Sequence, residues 1–175
     1  MLGQLGEVFR AHGYEGASLA LITQATGLGK GSLYNFFPGG KEQMAQEVLA
    51  EIDGWFEQHV FAPLRDDKDA ARGVARMFDA VERYFDSGRR VCLVGVFALG
   101  NERDLFGKAV RGYFVAWRQA LAVALRRLGA SPAAAERKAE DILAGIQGAL
   151  VLARAYDDAG VFKRAIERLR YLTRK

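Results

Sequence analysis

Residues 18–41 read SLALITQATGLGKGSLYNFFPGGK, and this stretch decides the fold. Leu19, Ile22 and Ala25 are spaced for one face of a two-turn helix, with Ser18 as its N-cap, because a serine oxygen accepts from a free first-turn amide. Gly27-Leu28-Gly29 makes a tight turn, and a further short helix runs from Lys30 to Phe37 before Pro38-Gly39-Gly40 stops it. Within it Leu33, Phe36 and Phe37 are expected to face the core. The remainder, Lys30, Gly31, Ser32, Tyr34 and Asn35, offers an ammonium, bare backbone, a hydroxyl, a phenol and an amide. Such groups suit phosphates and base edges. Two short helices joined by a glycine-containing turn form the helix-turn-helix arrangement, whose second helix enters the major groove of DNA.

Upstream, Leu2, Leu5 and Phe9 form a stripe that ends at His12-Gly13-Tyr14, with Gly13 expected in the left-handed position. Downstream, apolar residues recur at intervals of three and four. Met44, Val48, Ile52, Trp55 and His59 mark a long helix from Lys41 that Pro63 is expected to end; Val74, Phe78, Val81 and Phe85 mark the next. Helices over Phe106–Leu128, Ile142–Tyr156 and Phe162–Leu169 follow, punctuated by Gly129, by Ser131-Pro132 and by Gly160. The expectation is an all-α chain, with a three-helix helix-turn-helix domain at 1–46 and a larger helical domain at 47–175.

Composition supports a folded core and narrows the classes. Of 175 residues half are hydrophobic and 26% charged, with 20 Gly, 3 Pro and 1 Cys, which excludes collagen-like, disordered and disulfide-stapled chains. The longest apolar run, Val91–Leu99, is too short to span a bilayer and is expected as a buried helix or strand. One cysteine cannot form an internal bridge, and without an export signal the cytoplasm is the expected compartment. The net charge of +4 is unevenly placed: up to Asp53, Arg10, Lys30 and Lys41 oppose Glu7, Glu15, Glu42, Glu47, Glu51 and Asp53, leaving −3 there and +7 in the rest. Any nucleic-acid binding by the N-terminal part must rest on specific contacts rather than bulk charge.

The residues Phe9-Arg10-Ala11-His12-Gly13-Tyr14-Glu15-Gly16-Ala17-Ser18-Leu19, Ile22, Ala25, Gly27, Lys30 through Pro38, and Lys41-Glu42 carry a resemblance. Together they resemble the DNA-binding domain of the TetR family of bacterial repressors, over residues 2 to 50. The segment from Val91-Cys92-Leu93-Val94-Gly95 to Ala153 resembles the ligand domain of LmrA/YxaF-type members. This implies an all-helical homodimer that binds a double-stranded palindromic operator and releases it when a small-molecule inducer binds. Two departures are visible. The family's first helix is commonly longer and follows a basic arm, whereas this sequence begins within that helix, so either the start is truncated or some phosphate contacts are lost; and Phe36 stands where many members have His, removing a phosphate donor.

Carried over by position, Lys30 and Gly31 are the expected base-reading pair, Lys30 serving equally well on a phosphate. Tyr34 is expected to donate to a phosphate, Asn35 to a base or a phosphate, and Ser32 to either. Lys41 opens the fourth helix, where an ammonium and free amides suit a phosphate. Ser18 is an N-cap and a candidate phosphate donor, with Gln24 and Thr26 as further candidates. For the ligand, Trp55, Phe78, Phe97, Phe114, Trp117 and Gln147 are the expected lining, since many rings with isolated polar groups fit a cavity for a flat apolar compound. Residues 136–173, with Gly145, Gly148, Ala149 and Ala153 on the inner face of two helices, are the expected dimer seam.

Cys92 reads either as a small buried hydrophobe or as an oxidant- or electrophile-sensing thiol near Arg89 and Arg90. His12 and His59 lack companion ligands, so neither a metal nor a cofactor is expected. Nucleophile-elbow, phosphate-loop and dinucleotide motifs are absent from the sequence, and no catalysis is expected. The reading is a ligand-responsive repressor; its alternative is a small-molecule-binding or thiol-based sensing protein with weakened DNA binding.

Overall fold

The computed structural model describes residues 1–173, and among them there is no strand. The helices are α1 (Leu2–Gly16), α2 (Leu19–Thr26), α3 (Lys30–Phe36), α4 (Gly40–Phe56), α5 (Ala62–Asp66), α6 (Ala70–Tyr84), α7 (Leu93–Leu99), α8 (Gly107–Arg127), α9 (Pro132–Ala155) and α10 (Ala159–Leu172). Two compact units form. One comprises Met1–Gly54 with Leu93–Arg111, the other Trp55–Cys92 with the residues from Gly112 onward. The first thus holds α1 to α3 but extends past residue 46 and takes in α7.

In the first unit Leu5, Phe9, Ile22, Leu33, Phe37, Met44 and Val48 are buried. Ser18 caps α2 as expected, its Oγ accepting from the Leu21 amide at 3.3 Å. Gly27 ends the helix at φ 71, ψ 7. Three expectations need correction. Gly13 breaks α1 at φ 66, ψ 178, an extended conformation with positive φ open only to glycine, rather than a left-handed cap. Ala25 lies exposed, because Ile22 alone of α2 reaches the core. Phe36 is 58% exposed, because Leu33 and Phe37, four apart, take the whole inner stripe of so short a helix.

In the second unit Pro63 does not end the long helix. Residues Glu57–Phe61 form a π turn in which the Ala62 amide donates to the Glu57 carbonyl, and α5 continues to Asp66. Proline has no amide and clashes with the carbonyl four residues back. The widened turn just before it relieves that clash, and Pro63 falls in the first turn of α5. The acid-rich 66–69 stretch joins α5 to α6. Asp69 caps α6 by accepting from the Ala71 and Arg72 amides, and Asp67, its side chain only 3% exposed, pairs with Arg72 at 2.7 Å and Arg76 at 3.5 Å. Arg127 donates to the carbonyls of Arg65, Asp67 and Lys68, taking up groups left unpaired by the end of α5.

Rings fill the centre of this unit. Around the buried Trp117 lie Phe56, Tyr113 and Phe61, with centroids 5.2, 5.8 and 6.5 Å away, and its Nε1 donates to Met77 Sδ at 3.4 Å. Ser131 caps α9, with Pro132 in the first turn as expected. Two glycines let α10 pack closely: a Cβ on Gly145 would stand 2.7 Å from Leu169 Cδ2, and one on Gly88 would stand 2.5 Å from Phe162 Cβ.

Candidate nucleic-acid interface

No other helix of the first unit is as largely exposed as α3. Its seven residues place only Leu33 in the core, so Lys30, Gly31, Ser32, Tyr34, Asn35 and Phe36 all stand in solvent. Gly31 costs the helix about 1 kcal/mol relative to alanine. Nothing inside the chain requires it, since a Cβ there would meet no atom within 4 Å. Tyr34 is 47% exposed and leans toward the turn, 3.6 Å from where a Cβ on Gly40 would sit; Gly40 has φ 65. Neither α2 nor its cap carries a charge, which leaves Lys30 as the sole cation of the α2–α3 pair. Ser18 and Gln24 are exposed nearby in sequence, whereas the Thr26 hydroxyl is turned inward to the Ile22 carbonyl at 2.7 Å.

Lys41 is placed differently from the rest. Its Nζ donates to the Tyr14 carbonyl at 2.9 Å and sits 4.4 Å from the centroid of the Tyr14 ring. The ammonium thus secures the chain just after the Gly13 break. Burial, with Glu42, Glu15 and Glu102 nearby, pushes the Tyr14 phenol above its ordinary value. The Tyr14 amide in turn faces Glu102 Oε1 at 3.5 Å. Glu102 and Tyr14 are supporting residues that sequence reading missed, and 88 positions separate them, beyond any local signal.

The six residues expected to line a ligand cavity do not come together. Phe97 belongs to the first unit, buried among Phe9, Tyr14 and Phe106 with centroids 6.1, 6.2 and 5.1 Å away. Trp55 packs on Phe56, His59 and Tyr84, Trp117 is closed into the core, and Phe114 lies edge-on to Tyr113. Gln147 on α9 holds its Nε2 buried without a hydrogen-bond partner among the described residues. Only Phe78 lines either of two clefts in the second unit. That cleft, of about 300 Å³, is walled by Ala71, Val74, Phe78, Leu128 and Arg170. The other, about 830 Å³ and polar, lies at the α9–α10 corner with Arg89, Arg154 and Lys163. Cys92 is a buried cysteine just before α7.

The small residues of the expected seam divide. Ala149 and Ala153 are buried within the chain and Gly145 packs on Leu169, so only Gly148 stays open. Beside it α9 exposes Val151 and Leu152, its C-cap Tyr156 is exposed, and α10 exposes Tyr171 and Leu172. Among the described residues no helix is long and apolar enough to cross a membrane, and no group of three His, Cys, Asp or Glu could hold a metal ion.

Comparison with known proteins identifies this arrangement. A family model described as bacterial regulatory proteins, tetR family, matches residues 6–48, and one described as transcriptional regulator LmrA/YxaF-like, C-terminal domain, matches residues 70–168, more than half of the chain. The HTH-type transcriptional regulator LmrA of Bacillus subtilis (strain 168) is 28% identical over 156 residues, covering 87% of this chain and 83% of its own. A TetR transcriptional regulator from Legionella pneumophila has the same fold, with TM-score 0.80 at 21% identity over 96% of this chain and 92% of its own. CifR, a TetR family transcriptional regulator solved as a cysteine mutant with 26bp double-strand operator DNA, gives TM-score 0.76 at 27% identity over 97% of this chain and 93% of its own. With both halves of the chain matched, it belongs to the TetR family of transcriptional regulators, with a C-terminal domain of the LmrA/YxaF-like kind.

Proposed function

We propose that this regulator is a repressor that docks α3 in the major groove of a palindromic operator as a homodimer, and that a small, largely apolar or aromatic inducer releases it. The observation that carries the reading is α3 itself: a two-turn helix with one core residue and six exposed ones, including a glycine that internal packing does not require. Lys30 and Gly31 read base edges, while Ser32, Tyr34 and Asn35 bond phosphates or bases. Ser18 donates to a phosphate from the N-cap of α2. Lys41 acts first as a brace on Tyr14, and whatever it gives a phosphate comes from its remaining donors.

A single short helix contacts too few base pairs for a specific site, so two copies are needed. Gly148, Val151, Leu152 and Ala155 on α9, with its C-cap Tyr156, recur at three and four, an apolar stripe turned to solvent, and we assign the two-fold seam to that stripe with α10. The cleft of about 300 Å³ walled by Val74, Phe78 and Leu128 supports an apolar inducer. A gel shift on the DNA upstream of the protein's own gene tests the reading. A discrete complex that survives excess unrelated duplex and loses affinity as salt rises is expected, and failure to shift that fragment or any duplex selected from a random pool would remove the repressor reading.

A further inference from the structure

The structure assigns to Phe36 a role in choosing the operator sequence: an apolar reader of thymine methyl groups at the C-terminal end of α3. This rests on the DNA-docking reading above and adds a residue to it. Phe36 is 58% exposed, the most exposed aromatic ring of the first unit, on a helix whose other outward side chains are all polar. Nothing in the fold demands it, because Leu33 and Phe37 already close the core beneath α3. A single exposed ring needs no partner of its own, but on the helix proposed to meet DNA it is a surface whose covering on binding would be favourable.

Geometry limits the occupant. A helix of seven residues is about 10 Å long and the major groove is about 12 Å wide, so both ends of α3 fit within the groove. Phe36 follows Ser32 by one helical turn and lies on the flank of α3 opposite Lys30 and Tyr34, with Gly31 and Asn35 between them. Phe36 has no side-chain donor or acceptor, so it can read only apolar features. On base edges in the major groove the apolar feature is the C5-methyl of thymine. The proposal is therefore direct readout of at least one T·A pair per half-site, flanking the bases met by Lys30 and Asn35.

The experiment selects a duplex from a random pool with the wild-type protein. Each thymine of that duplex is then replaced in turn by deoxyuridine, which removes the methyl and nothing else. We expect symmetry-related positions, one per half-site, at which the replacement weakens wild-type binding about three- to tenfold. Phe36→Ala should bind the unmodified duplex more weakly and be indifferent to deoxyuridine there, with Phe36→Leu in between. Thermal unfolding midpoints of the variants should match the wild type, since the ring is exposed. A deoxyuridine effect that persists undiminished in Phe36→Ala, or no position sensitive to the methyl, would overturn the assignment while leaving the repressor reading intact. Failure to select any duplex would remove both.

Discussion

At the residue scale, the same side-chain type serves different ends according to what surrounds it. Lys30 and Lys41 both read as phosphate donors in the sequence, yet Lys30 is exposed and Lys41 is bound to the Tyr14 carbonyl at 2.9 Å. Lys41→Met should therefore lower unfolding stability by about 1–2 kcal/mol through the lost bond and ring contact, measured by urea denaturation. Tyr34→Phe should leave stability unchanged and weaken binding to every duplex by about 1 kcal/mol, the loss of one phosphate bond. Asp67 gives a pH signature. Hydrogen bonds from Arg72 and the Asp69 amide, with Arg76 close by, hold its carboxyl at about 2 against an ordinary 3.8. Because the folded value is the lower one, the stabilisation is complete above 3.8 and is lost as pH falls towards 2. The stability gap between wild type and Asp67→Asn should be constant near neutrality and close over that acid window. A gap unchanged between pH 6 and pH 2 would contradict the pairing.

At the element scale, α9 is the instructive case, since adjacent residues on it have opposite fates. Leu150 is 2% exposed and belongs to the core, whereas Val151 is 61% exposed on the stripe assigned to the partner copy. Leu150→Glu should unfold the chain, because an unpaired charge is driven into an apolar interior. Val151→Glu should leave each chain helical and thermally stable while shifting the sedimenting species from dimer to monomer. A folded Val151→Glu dimer would move the seam elsewhere. The apolar spacing on α9 announces a helix with two apolar faces, but which face meets its own chain is set by α10, as Gly145 against Leu169 shows.

At the scale of the whole molecule, the repression and induction proposed above form one equilibrium. An inducer displaces operator only by binding the non-docking state more tightly, so operator must weaken inducer binding by the same factor. Calorimetric titration of an inducing compound with and without saturating operator should give affinities differing by the factor by which that compound weakens DNA binding. Equal affinities for a compound that occupies the protein would show that it is not coupled to the DNA surface.

What the sequence by itself determined is whatever short-range chemistry encodes. The Ser18 and Ser131 caps, the turn at Gly27, the break at Gly13 and the periodicity of the long helices all depend on neighbours within four residues. The identity of α3 as the exposed polar helix follows from the same local pattern. Tertiary structure decided which residues meet over long separations. Phe97 stands with Phe9 and Tyr14 rather than with Trp117, and Glu102 reaches the Tyr14 amide. Asp67 is screened by arginines, and Phe36 is excluded from a core that Leu33 and Phe37 already fill. A helical pattern tells which residues are apolar and how they are spaced. It carries no record of how many apolar side chains the opposing surface can accommodate, and that capacity exists only once the helices have packed.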